Sequence, residues 1–436
     1  MDVEKALAFS LPLVSCLFVS ACGYNMGNSS TGGGNKATDA CAGTVVPNKY
    51  IVNWKDGTKS IEYAASESSL SLNLISSRSA EIDSVEHDYK VHVLGGLSKD
   101  ASGQVTDQSS STPDTWGQER AQAPDAWALA KGEGITVAVI DTGIDLNHSQ
   151  LRNQLAVNAG EIASNGIDDD KNGFIDDVNG WNFIGGSRGP NVIDNAVSTH
   201  HGTHVSGIVL GEHVATMPSI KGMAPAAKLL PLSFLDDYGD GDLDDAVDAM
   251  NYAASRGAKI ISASWGGEGC SKSLQNAVYN MEAKGVLFIA AAGNGDAHGI
   301  GYNLDIRQTY PAAYGAPGQI TVGAIDSQNY MTSFSNFSRN LVHLMAPGSR
   351  IWSTVYDPGV SGGVNHGYAL MDGTSMATPF VSGAAAVVWS YRPKATVRQV
   401  KAALIAGVTP GSYPVVSAGQ LNVRKALDEI AKLVDP

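Results

Sequence analysis

Cysteine is scarce in this chain: there are four in 436 residues, Cys16, Cys22, Cys41 and Cys270. That is too few for a disulfide framework, and their spacing fits no zinc site. Basic residues are short as well, with 29 Lys and Arg against 43 Asp and Glu and a formal net charge of −14. A chain so poor in cations is excluded from coating nucleic acid, whose phosphates draw on clustered Lys and Arg. Charged residues of both signs make up only 17% of the chain, whereas hydrophobic residues make up 43%. That balance excludes wholesale disorder and permits a large buried core. The apolar run at 6–21 is too short to span a bilayer comfortably, and no internal repeat is visible.

The acidity is local. Residues 161–180 carry Glu161, Asp168, Asp169, Asp170, Asp176 and Asp177 against Lys171 alone, and residues 236–248 carry seven acids and no base. Together the two stretches supply −12 of the −14. Acid concentrated in loops points to cation binding or a charged rim, whereas a solvated surface would spread it.

The chain divides by composition. Residues 1–21 read as a signal segment, and 22–44, rich in Gly, Ser, Asn and Thr, as a flexible tether. Residues 45–94 form a small α+β unit, with strands expected at 50–54 and in 82–93 and a helix at 61–75. A polar, Ser-rich linker at 95–115 follows. From 116 to 436 short β-rich runs (135–140, 228–232, 259–262, 286–290, 320–324) alternate with helical stretches (243–255, 271–284, 374–391). Such alternation implies one large α/β domain, a three-layer α/β/α sandwich around a mostly parallel sheet.

Three runs place reactive side chains where strands end or helices begin. The strand ending at Ile140 is followed at once by Asp141-Thr142-Gly143, at the mouth of an open sheet where ligands collect. His201-Gly202-Thr203-His204 opens an apolar stretch. Gly373-Thr374-Ser375-Met376-Ala377-Thr378-Pro379 leads into an Ala- and Val-rich helix, which gives Ser375 free N–H groups and the positive end of a dipole. Asp, His and Ser are the set needed for acyl transfer: attack by serine, proton transfer by histidine, orientation by aspartate. Singly, Asp141 also reads as an N-cap, His201 as a satisfied core histidine and Ser375 as a helix cap.

In their extended motifs and in this order, these residues resemble those of the subtilisin-like serine proteases, and the likeness runs from Trp116 to about Leu433. The resemblance implies a serine endopeptidase acting on proteins or peptides, with Asp141, His201 and Ser375 catalytic and His200 and His204 structural. Asn294, at the end of Ala290-Ala291-Ala292-Gly293-Asn294, matches the side-chain donor of the oxyanion hole. Ser264, Trp265 and Gly266 match one edge of the substrate cleft, and Gly239, Asp240 and Gly241 the opposing edge. A substrate would lie between them as an added strand. Asp240 and Asp242 then suggest a preference for basic residues two to four positions before the cut.

Oxygen side chains at Asp168, Asp170, Asn172 and Asp176, with Gly173 sixth in the loop, follow calcium-loop spacing up to the ninth position. Asn179 stands where an EF-hand would have Glu, and the run resembles instead an inserted calcium loop of some subtilases; an unmetallated acidic turn is the alternative. The family's best-known calcium site is expected to be missing, since Gln150 replaces its aspartate and 211–222 lacks Asn and Asp. Residues 45–94 resemble a short inhibitor-type propeptide, which would be the enzyme's own partner until cut away between about Leu94 and Thr115.

Val19-Ser20-Ala21-Cys22 resembles a bacterial lipoprotein signal, with lipidation at Cys22 holding the exported chain to a membrane until processing; an ordinary secretory signal is the alternative. Asp2 and Glu4 beside Lys5 depart from the basic leader of such signals. A Cys41–Cys270 bridge could retain the anchor after cleavage, with free thiols as the alternative. The segment 419–423 resembles the family's closing segment, and no further domain is expected. The rival function is a catalytically silent surface-binding lipoprotein on a protease scaffold.

Overall fold

The structure is a computed structural model that describes residues 43–70, 78, 80–98, 115–193, 200–214, 220–356 and 367–433. Cys16, Cys22, Cys41, the signal segment and almost all of the 22–44 tether lie outside the described residues, as do 99–114 of the linker.

The N-terminal unit consists of β1 (Val45–Trp54), β2 (Lys59–Tyr63), the short α1 (Glu67–Leu70) and β3 (Ile82–Val93). β1 lies between β2 and β3, antiparallel to both. The helix expected at 61–75 does not begin as such: Ile61 pairs with Ile51 in the sheet, helix appears at Glu67–Leu70, and 71–75 lie outside the described residues. An open β1 edge offers Ile61 backbone partners and apolar cover, which outweigh its local helical pattern. Tyr50, Val52, Trp54, Leu70, Ile82 and Val85 make this unit's own core. Ile51 and Val91 point the other way, into the core of the larger domain.

β4 (Gly96–Leu97) follows, then the larger domain: α2 (Trp116–Arg120), α3 (Ala123–Ala126), β5 (Thr136–Asp141), β6 (Trp181–Asn182), α4 (His201–Leu210), β7 (Lys228–Ser233), β8 (Asp240–Asp242) and α5 (Leu243–Ser255). Next come β9 (Ile260–Ala263), β10 (Trp265–Gly266), α6 (Lys272–Ala283), β11 (Leu287–Ala291), β12 (Gln319–Ile325), β13 (Leu344–Pro347), β14 (Ile351–Thr354) and β15 (Tyr368–Asp372). α7 (Thr374–Tyr391), α8 (Val397–Ala406), β16 (Thr409–Pro410), β17 (Gly419–Gln420) and α9 (Val423–Ala431) complete it. The central sheet runs β16-β17-β13-β12-β11-β9-β5-β7-β6, and all its pairs are parallel except β16 with β17.

Alternation along β5 builds the three layers. Val137 and Val139 face a core shared with α4 and α7, while Ala138 and Ile140 face the core under α5 and α6. α7 is apolar nearly all round because it is buried from Thr374 to Trp389. Among the described residues no helix is long and apolar enough to cross a membrane. β5 has β7 on one side and the later β9 on the other, so the strand order reverses there and a crevice opens at its carboxyl end. Asp141 is the last residue of β5.

The N-terminal unit docks through paired acids. Glu86 on β3 accepts the backbone N–H groups of Lys272 and Ser273 at the start of α6, and Asp88, two residues on, accepts that of Asp244 at the start of α5. Two helix N-termini are thus capped by one face of one strand.

Candidate active site

His201 is the first residue of α4, and its Nδ1 lies 2.8 and 3.0 Å from the two carboxylate oxygens of Asp141. Both side chains are buried. A Cβ at Gly202 would fall 2.1 Å from the carbonyl of Gly143, so this approach of helix to loop demands glycine. The Gly202 N–H then donates to Thr142 Oγ1 at 2.9 Å, locking helix start to strand end. With Nδ1–H given to Asp141, Nε2 is left as the acceptor; it is buried and has no hydrogen-bond partner among the described residues. Burial lowers the pKa of His204 to about 3, and its Nε2 contacts the carbonyls of Ile351 and Ala369, a structural role. Burial likewise lowers that of His200.

Ser375 lies in the first turn of α7, fully buried. Its backbone N–H donates to the carbonyl of Leu94 at 3.0 Å, and Asn294 Nδ2 donates to the same oxygen at 2.7 Å. Asn294 Oδ1 accepts the backbone N–H of Thr374 at 2.9 Å and its hydroxyl at 2.8 Å. Those two donors fix which end of the amide faces Leu94. Gly373, at φ 154°, leaves room for this arrangement, because a Cβ there would sit 2.4 Å from the Leu94 oxygen. The Ser375 hydroxyl donates to the carbonyl of Ser264 at 2.7 Å, an oxygen that also receives the Leu94 N–H at 3.2 Å. The serine–imidazole hydrogen bond is therefore not made in this rotamer, because the Ser264 carbonyl takes the hydroxyl proton.

The cleft edges hold β3 as an added strand. Val91 and His92 pair with Gly241 and Asp240 of β8, and His92 and Val93 pair with Gly266 and Trp265 of β10. The Val93 N–H donates to the carbonyl of Gly239. Trp265 offers only backbone here, since its side chain is buried in the core edge-on to Phe234 at 5.0 Å. A Cβ at Gly266 would come within 3.1 Å of Leu94 Cδ1, so its absence shapes the site of the buried Leu94 side chain. Beyond Leu94 and Gly95, β4 pairs with β15. Asp240 lies opposite His92, and Asp242 Oδ1 accepts from Lys90 Nζ at 2.6 Å.

In the acidic loop, carboxylate oxygens of Glu161, Asp168 and Asp170 converge within 4.8 Å of one another. Asn172 stands beside them, with its backbone N–H on Asp168 and Asp170. An all-oxygen group of this kind fits a hard cation such as calcium. Asp176 lies outside that group, its carboxylate accepting the N–H groups of Asn165 and Gly166, while Glu161, which accepts those of Asp170 and Asp176, belongs to it. Asp177, fully buried, anchors the loop to α5 through Tyr252 and Arg256. Elsewhere, the Gln150 amide donates to the carbonyls of Glu212 and Ile220, so a neutral NH₂ draws together oxygens that would suit a cation.

A subtilisin-like serine protease is the class that this sheet, crevice and Asp–His–Ser grouping define. The Subtilase family model matches residues 132–421, and the chain belongs to that family. It is 32% identical to thermitase of Thermoactinomyces vulgaris over 314 residues, covering 72% of this chain and 95% of that protein. It is 34% identical to the major intracellular serine protease of Bacillus subtilis (strain 168) over 281 residues (64% and 76%). With subtilisin DY of Bacillus licheniformis it shares 31% over 297 residues (68% and 92%). The protein is a subtilisin-like serine endopeptidase, and its substrates are proteins or peptides.

Sequence reasoning missed Thr374 as the clamp on Asn294, Glu161 as a member of the acidic cluster, and Lys49. Buried Lys49 Nζ sits among Asp88, Asp242 and Asp244 at 3.0, 2.8 and 2.6 Å. Only Lys49's position beside the strand run 50–54 hinted at burial; two of its three partners, Asp242 and Asp244, lie nearly 200 positions away.

Proposed function

We propose that this endopeptidase is exported, works through an acyl-enzyme on Ser375, and takes its own Leu94–Gly95 bond as first substrate. The observation that carries the reading is the convergence of Asn294 Nδ2 and the Ser375 N–H on the Leu94 carbonyl, with the serine side chain alongside. In the reaction the Ser375 hydroxyl turns from Ser264 to His201, whose Nε2 takes its proton as Oγ attacks the Leu94 carbonyl carbon. The oxyanion stays on the two donors. His201 then passes the proton to the nitrogen of Gly95 as the C–N bond breaks, and water, activated the same way, frees the acid and restores the serine. Asp141 holds the imidazole tautomer throughout. Residues 45–94 act as a propeptide that fills the cleft until it leaves.

Full-length Ser375→Ala should remain uncut and inactive on casein, whereas the unaltered chain acquires Gly95 as its new N-terminus. Equal processing of both would refute the reading. An Asn294 amide so oriented favours catalysis over the silent-scaffold alternative.

The anchoring proposal adds a lipid on Cys22. Cys270 is disulfide-bonded, and the other three cysteines precede residue 43. A Cβ on Gly43 would meet Gly269 Cα at 2.2 Å, so the chain just after Cys41 runs against the backbone next to Cys270. Two residues span at most about 7 Å, which puts Cys41 within reach as the partner. Cleavage at 94–95 would then leave anchor and enzyme joined. Peptide mapping that recovers residues 41 and 270 on one non-reduced fragment supports this, and a fragment shed without reductant opposes it.

Calcium is proposed at Glu161, Asp168 and Asp170, with Asn172 adjoining. Bound there it would rigidify the insertion between Asp141 and His201.

A further inference from the structure

The Leu94 carbonyl fixes the register of β3 in the cleft, so Lys90 is the fifth residue before the bond. Its Nζ lies 2.6 Å from Asp242 Oδ1, at the end of the β3–β8 ladder. Asp242 Oδ2 takes Lys49 Nζ at 2.8 Å. Among the described residues, these are the ion-pair partners of Asp242, and both belong to the N-terminal unit. Arg188, a cation of the larger domain, is engaged by Asp245 and Asp248 instead. Departure of residues 45–94 therefore strips Asp242 of both counter-charges and also takes Lys49 from neighbouring Asp244. Lys49 is on β1, outside the strand that a substrate replaces, whereas the fifth residue of an incoming peptide takes the place of Lys90 and can restore a charge.

We infer that Asp242 is a specificity-determining residue that selects Lys or Arg at the fifth position before the scissile bond; this rests on the processing reading above. Asp242 loses no helix cap in the exchange, because its side chain caps nothing in α5. With Lys90 44% and Asp242 19% exposed, the pair is a rim contact, and the discrimination should be moderate and sensitive to salt. Asp240 and Asp244 have the same sign and deepen the local potential, which also favours faster encounter with basic peptides.

The test uses processed enzyme from the full chain and three internally quenched peptides copying residues 86–98, with Lys, Ala or Glu at position 90. The Lys peptide should exceed the Glu peptide in kcat/KM by roughly tenfold at low ionic strength, and by much less in 0.5 M salt. Asp242→Asn should bring the ratio close to one, and Asp242→Lys should invert it, with the Ala peptide as the reference for each variant. Equal cleavage of all three by the unaltered enzyme, or a ratio untouched by Asp242→Lys, overturns the inference alone. Absence of any Ser375-dependent cleavage overturns the processing reading together with it.

Discussion

Thr374 grips the Oδ1 of Asn294 with both its N–H and its hydroxyl, at 2.9 and 2.8 Å, and thereby aims Nδ2 at the Leu94 carbonyl. Asn294→Leu should lower kcat by about 100- to 1000-fold with little change in KM, because the lost bond strengthens as the oxyanion forms. Thr374→Val keeps the N–H but removes the hydroxyl, and a loss of roughly tenfold in kcat is expected. Steady-state kinetics on one peptide substrate check both; a pure KM effect would show that the amide serves ground-state binding.

Leu94 is buried against Gly266 in the cleft. Leu94→Asp would place a carboxylate in that apolar spot beside the developing oxyanion, at a cost of several kcal/mol unless it protonates. The uncut chain should accumulate, with any residual cleavage moved to another bond. Gel mobility with N-terminal sequencing reads the result, and undiminished cutting at 94–95 would show that the side chain is not selected.

Release of the N-terminal unit should quicken with rising pH. Burial, reinforced by neighbouring Asp244, pushes the Asp88 carboxyl up to about 8 in the docked state, while Asp244 is held below its ordinary value through its bonds to Asp88 and Lys49 and the nearby Lys59. A carboxyl whose pKa rises on docking favours the docked state most at low pH, and that contribution fades as pH climbs from about 4 through 8. Lys49 is raised by Asp242, Asp244 and Asp88 despite its burial, and stays charged across this window. After cleavage and in the presence of reductant, fragment dissociation should accelerate at least tenfold between pH 5 and 9. Asp88→Asn should flatten that profile, and the same slope in both proteins would assign it to another group.

Calcium should raise the melting temperature, by the equivalent of about 2.7 kcal/mol at a hundredfold excess over its Kd. Glu161→Gln should abolish most of that shift. Asp176→Asn, which weakens two amide bonds rather than a ligand, should lower stability with and without calcium alike. Calorimetry with calcium or EDTA separates the two, and an unaltered shift in Glu161→Gln would move the ion elsewhere.

The sequence by itself determined the α/β alternation and the motifs that hold Asp141, His201, Asn294 and Ser375, because each is a short run whose strand or helix context is local. The run Lys272–Ala283 and the buried strands Thr136–Asp141 and Gln319–Ile325 were legible from apolar pattern and length for the same reason. Only the tertiary structure decided that Ile61 joins a sheet, that Glu161 rather than Asp176 closes the acidic cluster, and that Lys90 rather than a nearer residue meets Asp242. Each of these depends on register and loop packing between distant segments, which no local pattern encodes. The rotamer of Ser375 belongs to the same group: a carbonyl 111 residues away competes for its proton.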